Sequence, residues 1–429
     1  MRNVAPSSIG LQNKKYVLDL VKHVSNSTEE GYKIEAKVLT TQPIEGDVKS
    51  LQKGDYLKAK EELIIDGNSL VVRLLKKSPQ QIKETLSKLN LTNIGLSAYR
   101  QIGDVLNLDS MALTDVKASV ESISSESIVN YQTGSALNLI DLGESGLSRV
   151  LSTNRVVSKH GLDVWADGVG TWGQIDIAQQ QTNYRSQALR FGVDKEVSDG
   201  LLLGAFVGID HGRYTSGTQG NVNTKAGYFG IRAIKDFGKL DLSGVAVMGH
   251  HRDHMDRHLV MGEHSSSATI KNGQGLSGVF TRLTYKSDVS ERVSLNPYIG
   301  FDWVHLNNIA FADHINNIDI RTTVKSRDLV VSSLGLRVNL PFELATRKLN
   351  LSMDGSWKHY WNDKSVEYDV NVMGKNAHLV SKAVSNGANL SVDLQASLGK
   401  DSTVNLSYNG TFSTGIRTNG VVLKVTHKF

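Results

Sequence analysis

The sequence predicts an all-β fold: a closed, antiparallel transmembrane barrel of about twelve strands with a helix in its pore. A helical linker and a short β segment are expected to precede it. Three observations predict this. From about His160 onward, apolar and polar residues alternate with period two, in runs of about ten residues. The connections between those runs alternate between compact and long. The last run ends on Phe429, with no residue left to cover a free sheet edge.

The terminal strand shows the pattern most clearly. Val421, Leu423, Val425 and Phe429 share one parity, while Val422, Lys424, Thr426 and Lys428 share the other. A barrel that pairs its last strand with its first has no exposed edge. The same alternation recurs upstream. Leu201, Leu203, Ala205, Val207 and Ile209 oppose Gly204, Gly208 and Asp210. Leu390, Val392, Leu394, Ala396 and Leu398 oppose Ser391, Asp393, Gln395 and Ser397. The polar faces are rich in Asn, Ser and Gly, whereas a soluble sandwich would expose more Lys and Glu.

Composition agrees. No run reaches the roughly 18 apolar residues of a membrane helix. The 39 Gly against 5 Pro suit long, closely packed strands. Cys is absent, which removes disulfides and thiolate metal sites and suits an oxidising compartment. The net charge of +5 is dispersed, and no basic block interleaved with aromatics points to nucleic acid.

Along the chain, Glu62–Ile65 runs into Asp66-Gly67-Asn68 and returns through Ser69–Leu75, a hairpin signal. At Ser78-Pro79 the period changes: an N-cap is followed by Pro at the first helical position. Helices are expected from Pro79 and over about Ile94–Leu106, Leu113–Val129 and Ala136–Leu151. The last mixes Leu137, Ile140 and Leu147 with Asp141, Glu144 and Arg149, as a helix in a polar pore would. Compact turns are expected at 198–200, 236–239, 286–291, 341–347 and 399–402. Longer polar loops are expected at 178–183, 216–223, 252–267, 310–317, 362–381 and 413–419. Trp165, Trp172, Tyr184, Phe237, Tyr285, Trp303, Tyr360 and Trp361 fall near strand ends, where interfacial girdles form.

Other motifs carry less. Gly168-Val-Gly170-Thr-Trp-Gly173 is a literal G-x-G-x-x-G, but no helical stripe follows it, so no dinucleotide is expected. Its glycines instead suggest close approach of the pore helix. His250, His251, His254, His258 and His264, with Asp253 and Asp256, could ligate a metal only on a scaffold more rigid than the loop expected there. Gly143-Glu-Ser145-Gly146 lacks the spacing of a nucleophile elbow. Arg190, Asp194, Asp210, Asp302, Asp354 and Asp393 are expected in the lumen, pairing with one another or with the helix. No catalytic residue, cofactor or metal is expected.

The linker, the segment 136–155 entering a barrel, the opening Gly161-Leu-Asp-Val-Trp-Ala166, the run Leu189–Asp194 and the terminal Phe429 together resemble the translocator unit of type Va bacterial autotransporters. The resemblance spans about residues 130–429. In that family's C-terminal signature the third residue from the end is usually aromatic, and here it is His427. The resemblance implies a monomeric barrel in the outer membrane, among lipid and lipopolysaccharide. It also implies a secreted N-terminal passenger, periplasmic chaperones, and a barrel-assembly machinery that reads Val421, Leu423, Val425 and Phe429. Residues 1–77 would be the tail of a β-solenoid passenger, 78–158 the linker with the pore helix, and 159–429 the barrel. Some members cut the chain inside the pore after an Asn, and Asn154 is the Asn nearest the barrel start. The start of the chain has no apolar signal-peptide core, so an export signal and more passenger are expected upstream. Two other readings are a porin-like channel and a membrane anchor for a surface adhesin or protease.

Overall fold

The computed structural model describes residues 21, 23–29, 32–39, 55–66, 68–151, 161–177, 181–217, 220–262, 264–290, 292–315, 317–344, 347–361, 365–381 and 384–429. Strands β1 (Lys33–Leu39), β2 (Ala59–Asp66) and β3 (Ser69–Lys76) form an antiparallel sheet in the order β1-β3-β2. The expected hairpin is there, with Asp66 opposite Ser69. A solenoid's rungs would instead pair in parallel, and these three strands do not.

Helix α1 (Pro79–Lys88) starts as its sequence dictates. Ser78 accepts from the Gln81 amide while the Gln81 side chain accepts from the Ser78 amide, a reciprocal capping box. Helix α2 (Asn93–Ile102) is capped by Thr92, and α3 (Leu113–Ser124) follows. Helix α4 covers Ser127–Leu151 and so begins nine residues before the expected Ala136. The break between α3 and α4 lies at Ser125, whose φ of 55° is left-handed.

The remaining strands are β4 (Leu162–Ile175), β5 (Thr182–Ser198), β6 (Leu201–Ser216), β7 (Gly220–Asp236), β8 (Leu240–Met261) and β9 (His264–Tyr285). They continue as β10 (Ser287–Ser290), β11 (Val293–Leu306), β12 (Ile309–Ile315), β13 (Ile318–Val324), β14 (Arg327–Leu344) and β15 (Arg347–Tyr360). The last are β16 (Glu367–Val372), β17 (Lys375–Val380), β18 (Asn386–Ser397), β19 (Ser402–Ser413) and β20 (Ile416–Lys428). Each barrel strand pairs antiparallel with the next. The ring closes where β20 meets β4 in unbroken register from Ile416↔Ile175 to Lys428↔Asp163. Short β10 prolongs β9 on the same neighbour, β11, so the wall has twelve strands.

Parity behaves as expected along the wall. Leu203, Val207, Ile209, Leu394, Leu423 and Val425 face outward, while Asp194, Asp302 and Asp393 are buried inside. The girdle expectation holds only in part. Trp172, Phe237, Tyr285 and Trp361 are exposed, but Trp165, Tyr184 and Tyr360 are buried. Trp165 shares the parity of the buried Asp167, and its indole packs on Phe206 and Arg232 inside the barrel.

Several expected loops are strands. β8 and β9 are each 22 residues long, and Arg252–Ser267 lies mostly within them, paired down to Met261↔His264. An apolar band about 25 Å tall takes about 9–11 residues per strand, so this hairpin extends well past it. The loop expected at 310–317 falls on β12 and the turn of the hairpin β12–β13, and the loop expected at 362–381 holds the hairpin β16–β17. These join through β13–β16 into a separate four-stranded sheet. The connections at 216–223 and 413–419 are likewise tight, with β7 starting at Gly220 and β20 at Ile416.

The two faces of β18 give a direct test. Leu394 points outward and Gln395 inward. Leu394→Arg is expected to cost about 2–4 kcal/mol in detergent or lipid refolding, and Gln395→Arg much less. Equal destabilisation by the two would mean that the parity is wrong.

Candidate functional site

The site is the barrel lumen and what fills it. Call the near end the one holding Leu162 and Phe429, where the Phe429 amide donates to the Leu162 carbonyl. The far end holds the β8–β9 tip. Helix α4 enters at the far end and runs toward the near end. At its start, Asn130 donates to Thr182 Oγ1 (2.9 Å) and accepts from the Ile177 amide (3.1 Å). One residue on, Tyr131 donates to Asp253 (2.6 Å) and sits edge-on to Tyr214. Gln132 and Gln274 exchange hydrogen bonds. Deeper, Asn138 donates to Asp210 (3.3 Å), Arg190 donates to Ser145 (2.8 Å), and Lys358 donates to Glu144 (2.8 Å).

Glycine brings the helix against the wall. A side chain on Gly143 would collide with the Phe280 ring, and one on Gly134 with Tyr214 and Ile175. The barrel glycines do not have this role. Gly168 and Gly170 lie on the outward parity of β4, and an added Cβ there would meet nothing. The helix leans on β8, β9 and β11, and a small cavity of about 50 Å³ remains beside it. Asp141, Asn138, Arg190, Asp210 and Thr418 are among its lining.

The expected lumen residues all lie inside. Arg190 pairs with Asp167 (2.7 Å), Asp194 with Arg232 (2.6 Å) and Asp393 with Arg337 (2.9 Å). Asp354 accepts from Tyr298 (2.6 Å) and lies 3.9 Å from Arg282. Asp210 also accepts from Ser186 (2.6 Å), and Asp302 is buried beside Glu144. The side chain of Arg149, and Asn154 entirely, lie outside the described residues. The partners Lys358, Arg232 and Arg282 were not anticipated. Their inward parity in the alternating strands was the available signal.

The far end carries a second structure. Helices α2 and α3 pack against the β12–β13–β16–β17 sheet and the projecting β8. Ile94, Ala98, Ile102, Val116, Val120 and Ile123 share one apolar core with Phe311, Ile320, Val370 and Leu379. Tyr368 donates to the Ser124 carbonyl (2.5 Å). Arg257 binds Asp313, Ser125 Oγ and the Ser122 carbonyl. The Val260 and Gly262 amides donate to Ser122 and Ser119. Glu126, fully buried at the α3–α4 break, accepts from Thr92 and Ser124. Burial pushes its pKa up to about 7, against the opposing pull of those hydrogen bonds.

The histidines do not converge. His251 is buried in the lumen while His250, His254 and His258 point outward. Among the described residues no group of His, Asp and Glu is arranged to hold a metal.

A family model, the autotransporter beta-domain, matches residues 164–409, more than half of the chain. The chain belongs to the autotransporter beta-domain family. Among solved structures, the translocator domain of autotransporter NalP from Neisseria meningitidis matches with a TM-score of 0.57 at 13% identity, covering 71% of this chain and all of that one. The beta domain of the Bordetella autotransporter Brka matches with a TM-score of 0.50 at 15% identity, covering 63% of this chain and all of that one. These two show the shared fold. An extracellular serine protease of Serratia marcescens is 24% identical over 274 residues, 62% of this chain and 26% of the relative. The chain thus aligns with about a quarter of that relative's length.

The buried Glu144–Lys358 pair joins α4 to β15. Lys358→Met alone leaves the Glu144 carboxylate buried without its cation, and is expected to cost about 3–5 kcal/mol. The double variant Glu144→Leu/Lys358→Met should recover part of that loss. Heat-modifiability midpoints of wild type, Lys358→Met, Glu144→Leu and the double variant measure the cycle. Strict additivity would mean that the two groups do not couple.

Proposed function

We propose that this chain is the translocator unit of an autotransporter: it anchors in the outer membrane and carries an N-terminal passenger to the cell surface. The supporting observation is topological. The barrel begins and ends at its near end, while the segment preceding it is folded at the far end. Helix α4 is the described connection between them, and it runs through the lumen. The far end is then the cell surface and the near end the periplasm.

The apolar outer face partitions into lipid, and every strand finds its backbone partners within the ring. The polar lumen lets the passing chain keep its amides solvated. After transit, α4 fills the pore, and Asp141, Glu144 and Arg149 belong to that plug. Bond-making chemistry is not assigned to this unit. Residues 1–77 read as the end of the passenger, 78–158 as the junction and pore helix, and 159–429 as a monomeric barrel. A porin-like role fits poorly with a lumen occupied along its length. An anchor for a surface adhesin or protease is a variant of the same reading, differing only in the passenger.

Conductance in planar bilayers tests the plug. A version starting at Lys159 should conduct more, and more steadily, than one starting at Pro79. Equal conductance of two correctly folded proteins would remove the helix from the pore.

The outward face of β20 (Val421, Leu423, Val425) and Phe429 fits an assembly signal read by the barrel-assembly machinery after chaperoned passage through the periplasm. Phe429 is 75% exposed at the near end, free for recognition. Deleting it should lower the yield of heat-modifiable barrel in the outer membrane several-fold. Unchanged yield would remove Phe429 from the signal.

A further inference from the structure

The outer wall carries a charge pattern that translocation leaves unexplained. On β5 to β9, residues opposite one another form rows across the strands. One outward row is apolar: Phe191, Val207, Phe229 and Met248, each 46% exposed or more. Moving toward the far end, the row after next reads Gln187, His211, Lys225, Arg252, Gly273. The row beyond it reads Arg185, Arg213, Asn223, His254, Lys271. Five permanent cations and two histidines thus occupy two adjacent rows. Neighbouring strands lie about 4.8 Å apart, so these cations form one continuous patch.

All five cations are exposed, and no ion pair joins them to a carboxylate among the described residues. The first outward carboxylate, Asp256, appears only in the following row. Elsewhere the far-end wall differs. β11, β14 and β15 turn Trp303, Asp328 and Trp357 to the outward side, Trp361 is exposed just past the end of β15, and His305 is bound to Asp328. Arg417 on β20 is a further outward cation at the far end, so the basic residues concentrate on the β5–β9 arc, directly above hydrocarbon-facing side chains. Unpaired like charges repel, and an anionic partner removes that cost.

We propose that this arc binds the phosphorylated headgroup of the outer-leaflet glycolipid, with the apolar rows beneath holding its acyl chains. The inference rests on the outer-membrane reading, with the far end at the cell surface. Arg213 and Arg252 donate in bidentate fashion to phosphate oxygens, and Lys225 between them supplies a point charge. Soluble polyanions would find the same charges but no use for the adjoining apolar rows.

The full chain, refolded in neutral detergent, is titrated with diphosphorylated lipid A, with its dephosphorylated form, and with inorganic phosphate. Co-migration in native gels and the heat-modifiability midpoint are read. Diphosphorylated lipid A should bind at least ten-fold more tightly than the other two and raise the midpoint. Arg213→Ser/Lys225→Ser/Arg252→Ser should weaken that binding at least ten-fold. Lys195→Ser/Arg347→Ser/Lys348→Ser, which removes the same charge at the near end, should stay within two-fold. If the Arg213→Ser/Lys225→Ser/Arg252→Ser variant does not fold, the single variant Lys225→Gln should by itself weaken the binding at least three-fold, and unchanged binding by a folded Lys225→Gln protein would overturn the assignment. Equal weakening by the two triple variants, equal binding of the dephosphorylated lipid, or equally tight binding of inorganic phosphate would overturn the assignment. Wild-type protein that neither inserts into vesicles nor shows heat-modifiability would instead overturn the barrel reading beneath it.

Discussion

In hydrocarbon an unpaired backbone amide or carbonyl costs several kcal/mol, and no water is present to relieve it. Everything else in this structure depends on how that requirement is met. Twelve strands satisfy one another in sequence, and the seam between β20 and β4 is as complete as any interior pairing. Because the first and last strands must meet, the chain's final residues are as necessary to the wall as any central strand. Closure also fixes an interior too narrow for a second layer of core but wide enough for one helix.

That interior is where the sequence makes its least ordinary choices. A solvated pore could tolerate loose polar residues. A filled one must match each buried charge with a partner, because desolvation otherwise penalises it heavily. The cations Arg190, Arg232, Arg337 and Lys358 each meet a carboxylate, and Glu144 on the helix takes the last of them. Small residues on the helix permit this. Gly143 lets the backbone press on Phe280, and the same approach brings Glu144 within reach of Lys358 on another wall. Helical propensity is lost at each glycine, roughly 1 kcal/mol against Ala, and packing offsets it.

The wall was legible in the sequence because a two-residue period, repeated a dozen times, leaves little freedom of register. The near-end turns at 198–200, 236–239 and 399–402 were legible for the same reason, whereas the turns expected at 286–291 and 341–347 are shorter, because β10 lies within the first and β14 continues through Leu344 in the second. What the period could not reveal was pairing between distant segments. Ile309, Phe311 and Ile315 alternate with Ala310, Ala312 and His314, yet seven residues are too few to separate a strand from a polar loop. They pair with β13, which itself pairs with β16 about fifty residues further on, and they share a core with helices about two hundred residues earlier. The early start of α4 was hidden similarly. Asn130, Tyr131 and Gln132 look unremarkable on a helix until Thr182, Asp253 and Gln274 appear opposite them. Gly168 and Gly170 misled in the other direction, since only parity, not glycine content, says which side of the wall they face.

The far-end structure constrains the order of events on the proposed pathway. Its core combines side chains from α2 and α3 with side chains from two connections inside the barrel sequence. Neither half is complete alone: the four-stranded sheet needs the helices to cover its apolar face, and the helices need that sheet. The halves meet only when the barrel is closed and residues 93–126 stand at its far end. If those residues reach the far end by transit through the lumen, they cross before they fold there, because paired helices with side chains are wider than the space α4 now fills. Folding of this composite core then opposes the return of the chain into the pore. It also leaves α4 as the segment that remains behind in the lumen. The buried Ser122, Ser124, Ser125 and Glu126 sit at that boundary, where the last turn of the far-end structure becomes the first turn of the plug.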